Sequence, residues 1–110
     1  MPEIDSNSCH FFDYKIPNLD KNILVLKKDD TYYYNINTIG NCIEYKDKHT
    51  LRKFFQKKLP EKLYSSIFCP FFYLVKLDDL KLLLDDNIKL KYKSNLKIIT
   101  TELSEMEQQK

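Results

Sequence analysis

Two apolar runs three residues apart govern what this chain can fold into. Asn22-Ile23-Leu24-Val25-Leu26-Lys27 and Thr31-Tyr32-Tyr33-Tyr34-Asn35-Ile36 are rich in β-branched and aromatic side chains. The polar Lys28-Asp29-Asp30 between them has the length of a hairpin connection. The pattern predicts a β-hairpin over residues 22–27 and 31–35. Beyond it the apolar period changes from two to about four. Ile36, Ile39 and Ile43 recur at i, i+3 and i+7 with Cys42 beside them, which predicts a short helix. Asn35 or Asn37 can accept a backbone N–H at its start. Gly40 lies one turn from its end, where a missing side chain lets a neighbouring helix come close.

The next helix is the stronger one. Over residues 48–59 the apolar positions Leu51, Phe54, Phe55 and Leu59 form one stripe at 100° per residue, and His49, Arg52, Lys53, Gln56 and Lys57 fall opposite. Asp47 is its natural N-cap. Lys58 falls inside the apolar stripe, and Pro60 disfavours helical geometry at Leu59, so the helix should unwind there and release Lys58. Residues 61–66 read as a further helical turn, and Phe71 to Val75 as a buried strand. Lys76 to Leu84 reads as a helix with Asp78 and Asp79 in its first turn. Asn87 to Lys93 alternates apolar and polar residues, the mark of a half-buried strand with Lys89, Lys91 and Lys93 on one solvent face. A closing helix follows over residues 95–110. Phe11, Phe12, Tyr14 and Ile16 suggest a short strand before Pro17. The fold class expected is α+β: one small domain with an N-terminal β-hairpin, two short helices in a helix-turn-helix-like pair, and further strand-helix-strand elements. Residues 1–10 read as a flexible N-terminus, 11–104 as the globular domain and 105–110 as a frayed C-terminus.

Composition narrows function mainly by exclusion. With 110 residues there is room for one domain, and 43% hydrophobic against 31% charged residues argues for a folded core. A single glycine rules out every phosphate-cradling loop built on several glycines. Cys9, Cys42 and Cys69 are odd in number and match no paired metal motif with His10 and His49, so reduced, unmetallated thiols are expected. The adjacent acids Asp29-Asp30, Asp78-Asp79 and Asp85-Asp86 suit turns and helix ends better than catalysis. No acid, base and nucleophile converge, and no enzyme, cofactor or metal is expected. No apolar run reaches the ~20 residues that span a bilayer, and the N-terminus is polar, so an intracellular protein without a membrane partner is expected.

Charge is the informative property. Residues 46–62 hold seven basic side chains and two acidic ones, a local +5 in a chain whose total is +2, so the rest sums to −3. The densest part forms one face of one helix, closely preceded by another short helix, as in helix-turn-helix geometry. Seventeen of the basic residues are Lys and only Arg52 is Arg, which favours phosphate contact over base readout. The plain alternative is a solvated basic face on an ordinary amphipathic helix, or one that meets an acidic protein. Tyr32-Tyr33-Tyr34 could stack on bases, although aromatics in a hairpin more often pack across strands.

The succession from Tyr32 through Ile43-Glu44-Tyr45-Lys46 to a basic helix, and then Phe72-Tyr73-Leu74-Val75-Lys76-Leu77-Asp78-Asp79-Leu80-Lys81-Leu82-Leu83, resembles the Bro-N domain. That is the amino-terminal domain of the baculovirus repeated ORF family, related to the KilA-N domains of large DNA viruses and phages. The resemblance spans about residues 23–84. This chain departs from the pattern at Glu44, where the family has a glycine, in its near lack of arginine, and in having no room for the second domain of the larger proteins. The resemblance implies a viral protein that binds DNA with little sequence preference. The expectation is therefore a nucleic-acid-binding domain, DNA before RNA, acting in the host nucleus or cytoplasm. Its contacts would come from Lys46, Lys48, His49, Arg52, Lys53, Gln56 and Lys57, with Lys89, Lys91 and Lys93 as a second candidate face. The rival expectation is a viral protein-interaction or virion-assembly module that uses the same basic face or self-associates as a homo-oligomer.

Overall fold

The hairpin forms where the apolar alternation puts it. In the computed structural model, which describes residues 3–5, 9–66 and 69–109 and the side chains of all but 48 and 69–72 of these, β3 (Lys21–Lys28) pairs antiparallel with β4 (Thr31–Asn35) in the register Val25 to Tyr34 and Leu26 to Tyr33. Asp29, the first of the two connecting residues, takes φ 53°, the left-handed turn that matches strand twist. The early strand is longer than the sequence suggests. β2 (Cys9–Ile16) pairs along its whole length with β3, around a turn that ends at Asp20 with φ 52°.

Three more strands complete one sheet. β1 (Glu3–Ile4) lies parallel to β5 (Leu63–Ser66), and β5 pairs antiparallel with β6 (Cys69–Val75), which pairs in turn with β4. The order across the sheet is β1-β5-β6-β4-β3-β2. Glu3 and Ile4 therefore belong to the sheet rather than to a loose end, and Ile4 is buried. Residues 63–66 form a strand, not the helical turn that the sequence suggests. Pro60 follows the last helical turn and Glu61 takes φ 62°, which turns the chain back before Leu63 and Tyr64 pair with β6.

The helices are α1 (Ile36–Cys42), α2 (Lys48–Lys58), α3 (Leu77–Lys81) and α4 (Leu90–Gln108), with a 3-10 helix over Leu82–Asp85. Their buried residues share one core with Ile16, Ile23, Val25, Tyr34, Leu63 and Val75, the alternate positions on one side of the sheet. Among the described residues the other side of the sheet carries a smaller cluster of Ile4, Leu26 and Leu74, with Cys9, Phe11, Tyr33 and Tyr64 packed against it. The result is a two-layer α+β domain with a Cα radius of gyration of 13.1 Å, close to the ~13 Å of a compact chain near this length.

The expected strand over residues 87–93 is a correction. The chain there is extended only to Lys89 and then enters α4, five residues before the predicted closing helix. The reason is a longer period that overrides the short alternation. Leu96, Ile99, Leu103 and Met106 recur at helical spacing and are all buried, and Tyr92 packs against the same core. A strand would have buried Leu90 together with Ile88 and Tyr92. In the helix Leu90 is 76% exposed. At the other end α4 keeps helical geometry to Gln108 with Met106 buried, where the sequence suggests fraying from residue 105. Among the described residues no helix is long and apolar enough to cross a membrane.

Candidate nucleic-acid interface

The basic helix is held by features at each of its ends and along its buried side. α1 starts at Asn35, whose side chain accepts from Thr38 N at 3.0 Å, while Thr38 Oγ1 accepts from Leu24 N at 3.1 Å and ties the helix to β3. It stops in a Schellman turn. Tyr45 N donates to Gly40 O at 2.9 Å, Glu44 N to Asn41 O at 3.3 Å, and Glu44 takes φ 60°. Glycine is the usual residue there, because only it adopts that conformation without a Cβ penalty. Asp47 then caps α2, its carboxylate accepting from His49 N at 2.9 Å. Gly40 leaves room for its neighbour on α2: a Cβ there would lie 2.5 Å from Leu51 Cδ2, so any larger residue would have to push the buried Leu51 side chain aside.

The apolar stripe of α2 faces the core as predicted, with one change. Leu51, Phe55 and Leu59 are buried, whereas Phe54 is only half-buried at the edge, between Tyr45 at 5.3 Å and Phe55 at 5.6 Å between ring centroids. Lys58 ends the helix, and its ammonium turns to Asp86 at 3.5 Å. Lys62 lies 3.9 Å from Asp79. These two cations of the basic segment are thus answered by acids beside the 3-10 helix.

The remaining cations whose side chains are described are not. Lys46, His49, Arg52, Lys53, Gln56 and Lys57 are all exposed. At 100° per residue the five on the helix occupy an arc of about 140°. Among the described residues none of Lys46, Arg52, Lys53 and Lys57 has a carboxylate within 4.0 Å. The Lys48 side chain lies outside the described ones. Arg52 is the most constrained of the set: its guanidinium carbon sits 5.5 Å from the centre of the Tyr73 ring on β6, an interior strand, a cation–π contact that holds the fork against the sheet. No sequence signal marks that pair, because the partners come from separate elements.

The second candidate face does not form as expected. Lys89, Lys91 and Lys93 share no strand face. Lys89 and Lys93 lie one helical turn apart on α4, its ammonium in the case of Lys89 5.9 Å above the Tyr92 ring, while Lys91 points elsewhere, 3.8 Å from Glu44. The tyrosine run also divides. Tyr34 is fully buried and its hydroxyl donates to Glu107 of α4, Tyr32 lies under Lys27, and Tyr33 lies on the opposite side of the sheet against Tyr64, ring centroids 5.1 Å apart. Lys76 reaches over both of those rings, 5.7 Å from Tyr33 and 5.3 Å from Tyr64. Its ammonium is held above the usual lysine range first by hydrogen bonding to the Tyr64 hydroxyl, against a lowering by desolvation.

Cys42 is buried and its thiol is pushed up by that burial, with Lys21 acting weakly in the other direction. Cys9 is half-buried and donates to Asp5 O at 2.9 Å; the Cys69 side chain lies outside the described ones. No protein-family model, no curated protein and no solved structure matches this chain.

Proposed function

We propose that this domain binds nucleic acid, DNA before RNA, by laying the outer face of α2 along the phosphate backbone. The observation that carries the reading is the arc of exposed Arg52, Lys53 and Lys57, with His49 and Gln56 between them and Lys46 at its start, left without carboxylate partners while Lys58 and Lys62 have theirs. A helix rigidly seated by its cap, by the Gly40–Leu51 contact and by Phe55 presents those charges at fixed positions, which favours binding over a mobile basic tail. Lysine-rich contact neutralises phosphates without reading base edges, so little sequence preference is expected. The resemblance to the Bro-N domain supports the reading through its order of hairpin, helix, basic helix, strand and helix. On that resemblance the protein is viral and meets its target in the host nucleus or cytoplasm.

Each phosphate neutralised by a Lys or Arg releases counterions. Three to five such contacts give a log–log slope of affinity against salt of roughly −3 to −5 on random duplex DNA. The combined change Arg52→Ala, Lys53→Ala and Lys57→Ala should weaken binding about equally for all sequences and flatten that slope. Fluorescence anisotropy with duplex, single-stranded DNA and RNA probes over a salt series measures it. Tight binding indifferent to the triple change places the site elsewhere, and no binding to any probe at low salt refutes the proposal.

A further inference from the structure

Arg52 differs from Lys46, Lys53 and Lys57 in what lies beneath it. Its guanidinium carbon stands 5.5 Å from the centre of the Tyr73 ring, inside the ~6 Å over which an aromatic face attracts a cation. Tyr73 belongs to β6, which runs between β5 and β4, and its half-buried ring packs against the core on the same side of the strand as buried Val75. The ring is thus a fixed part of the sheet. Among the described residues Lys53 and Lys57 have neither a ring beneath them nor a carboxylate within 4.0 Å, so nothing orders the ends of their long stems.

A carboxylate would hold the Arg52 fork by taking up its N–H donors, whereas a ring attracts the charge as a whole. Arg52 is exposed, and among the described residues no carboxylate lies within 4.0 Å of it, so no acid uses those donors. They keep the planar spacing that matches two oxygens of one phosphate. Lysine has no such fork, and this is the single arginine of the chain. Drawn against the sheet, the fork does not project into a groove, where base edges lie, but meets a backbone that passes over α2.

We infer that Tyr73 is a positioning residue of the interface: it orders the Arg52 guanidinium for bidentate contact with one backbone phosphate. Lys53 and Lys57 follow about 100° and 140° further round the helix as point charges. Arg52 therefore fixes the register of the backbone on the protein, and the two lysines add attraction without fixing it. The inference rests on the nucleic-acid reading of α2.

Because the chain has one arginine, the Nε–H signal of Arg52 in a 15N NMR spectrum needs no assignment. In the unaltered protein it should be restricted in motion and shifted by the ring, and it should shift again on titration with random duplex DNA. By anisotropy on the same duplex, Tyr73→Leu, checked for folding by circular dichroism, should weaken binding about two- to fivefold. The salt slope should stay as it was, since no charge is removed. Tyr73→Phe keeps the ring and should restore most of that loss. Arg52→Lys should weaken binding by a similar factor, and adding Tyr73→Leu to it should weaken it no further. Where Tyr73→Leu fails to fold, Arg52→Lys and the Nε–H signal of the unaltered protein decide. A signal as mobile as that of a free side chain, a folded Tyr73→Leu of undiminished affinity, or a Tyr73→Phe as weak as Tyr73→Leu would each overturn the inference. A loss confined to guanine-bearing probes overturns it too, and gives the fork to a base edge. Binding that falls with Lys53→Ala and Lys57→Ala but not with Arg52→Lys overturns this inference alone, whereas no binding to any probe at low salt removes the reading of α2 along with it.

Discussion

α2 and α4 are both amphipathic and both pack on the same face of the sheet, yet they treat their own ends in opposite ways. α2 begins with the carboxylate of Asp47 on a backbone N–H and ends with Lys57 and Lys58, in agreement with its dipole. α4 begins with Lys89 uncapped and ends among glutamates. An 11-residue helix that must present cations at fixed positions benefits from local order, since short helices are marginal by themselves. A 19-residue helix with Leu96, Ile99 and Leu103 in the core can bear an unfavourable charge order, because burial rather than its ends holds it in place. In α2 the cations without acidic partners gather on the one face turned away from the core, whereas the charges of α4 are spread around its two flanks.

The buried anchor of α2 offers the largest effect. Phe55→Ala should destabilise the domain by ~3–5 kcal/mol, the range for a fully buried ring, whereas Phe54→Ala should cost clearly less because its ring is half-buried. Urea unfolding of the two variants side by side measures the gap, and equal losses would contradict the orientation of the helix.

The polar anchor of α4 comes next. Burial, then the hydrogen bond to Glu107, holds the Tyr34 hydroxyl well above the usual tyrosine range. The native state therefore keeps a proton that the unfolded chain releases near pH 10, so this contribution is complete below about pH 10 and declines as pH rises further. Tyr34→Phe should cost ~1.5–3 kcal/mol at pH 7, as for a hydrogen bond to a charged group, and should remove part of the stability loss between pH 9 and 11. An unchanged alkaline limb in the variant would show that Tyr34 does not link β4 to α4 in this way.

Smaller effects test the helix ends directly. Asp47→Ala should cost ~1 kcal/mol through loss of its cap, while Lys89→Asp should add ~0.5–1 kcal/mol by supplying one to α4. Opposite signs in thermal melts sharpen the contrast, and a loss in both would break it. Smallest is Glu44→Gly, which should stabilise by up to ~1 kcal/mol by relieving a non-glycine residue at φ 60°. A destabilised variant would mean that the weak contact of Glu44 with Lys91 outweighs the backbone strain.

Local chemistry was readable in the chain wherever one element decided it. The hairpin, an asparagine cap on α1 at Asn35 or Asn37, the Asp47 cap, the apolar stripe of α2 and the close packing at Gly40 all follow from spacing and residue type within a few positions. The misreadings fell where a longer range won. At residues 87–93 a brief alternation gave way to the helical repeat that runs on to Met106. At residues 63–66 the strand exists because β6 is there to pair with it. Phe54 and Phe55 look alike as letters, and only the position of Tyr45 and the core separates the buried ring from the half-buried one.

Sequence alone determined the α+β class, the helical face that carries Arg52, Lys53 and Lys57, and the polarity of charge along the chain, because each depends on periodicity and on short-range hydrogen bonding. Tertiary structure alone decided which of those charges remain unanswered. Lys58 and Lys62 find Asp86 and Asp79 across 28 and 17 residues of chain, Arg52 finds Tyr73, and Lys91 of α4 finds Glu44. Pairing of charges is a matter of distance in space, which spacing along the chain does not set once the chain folds back on itself.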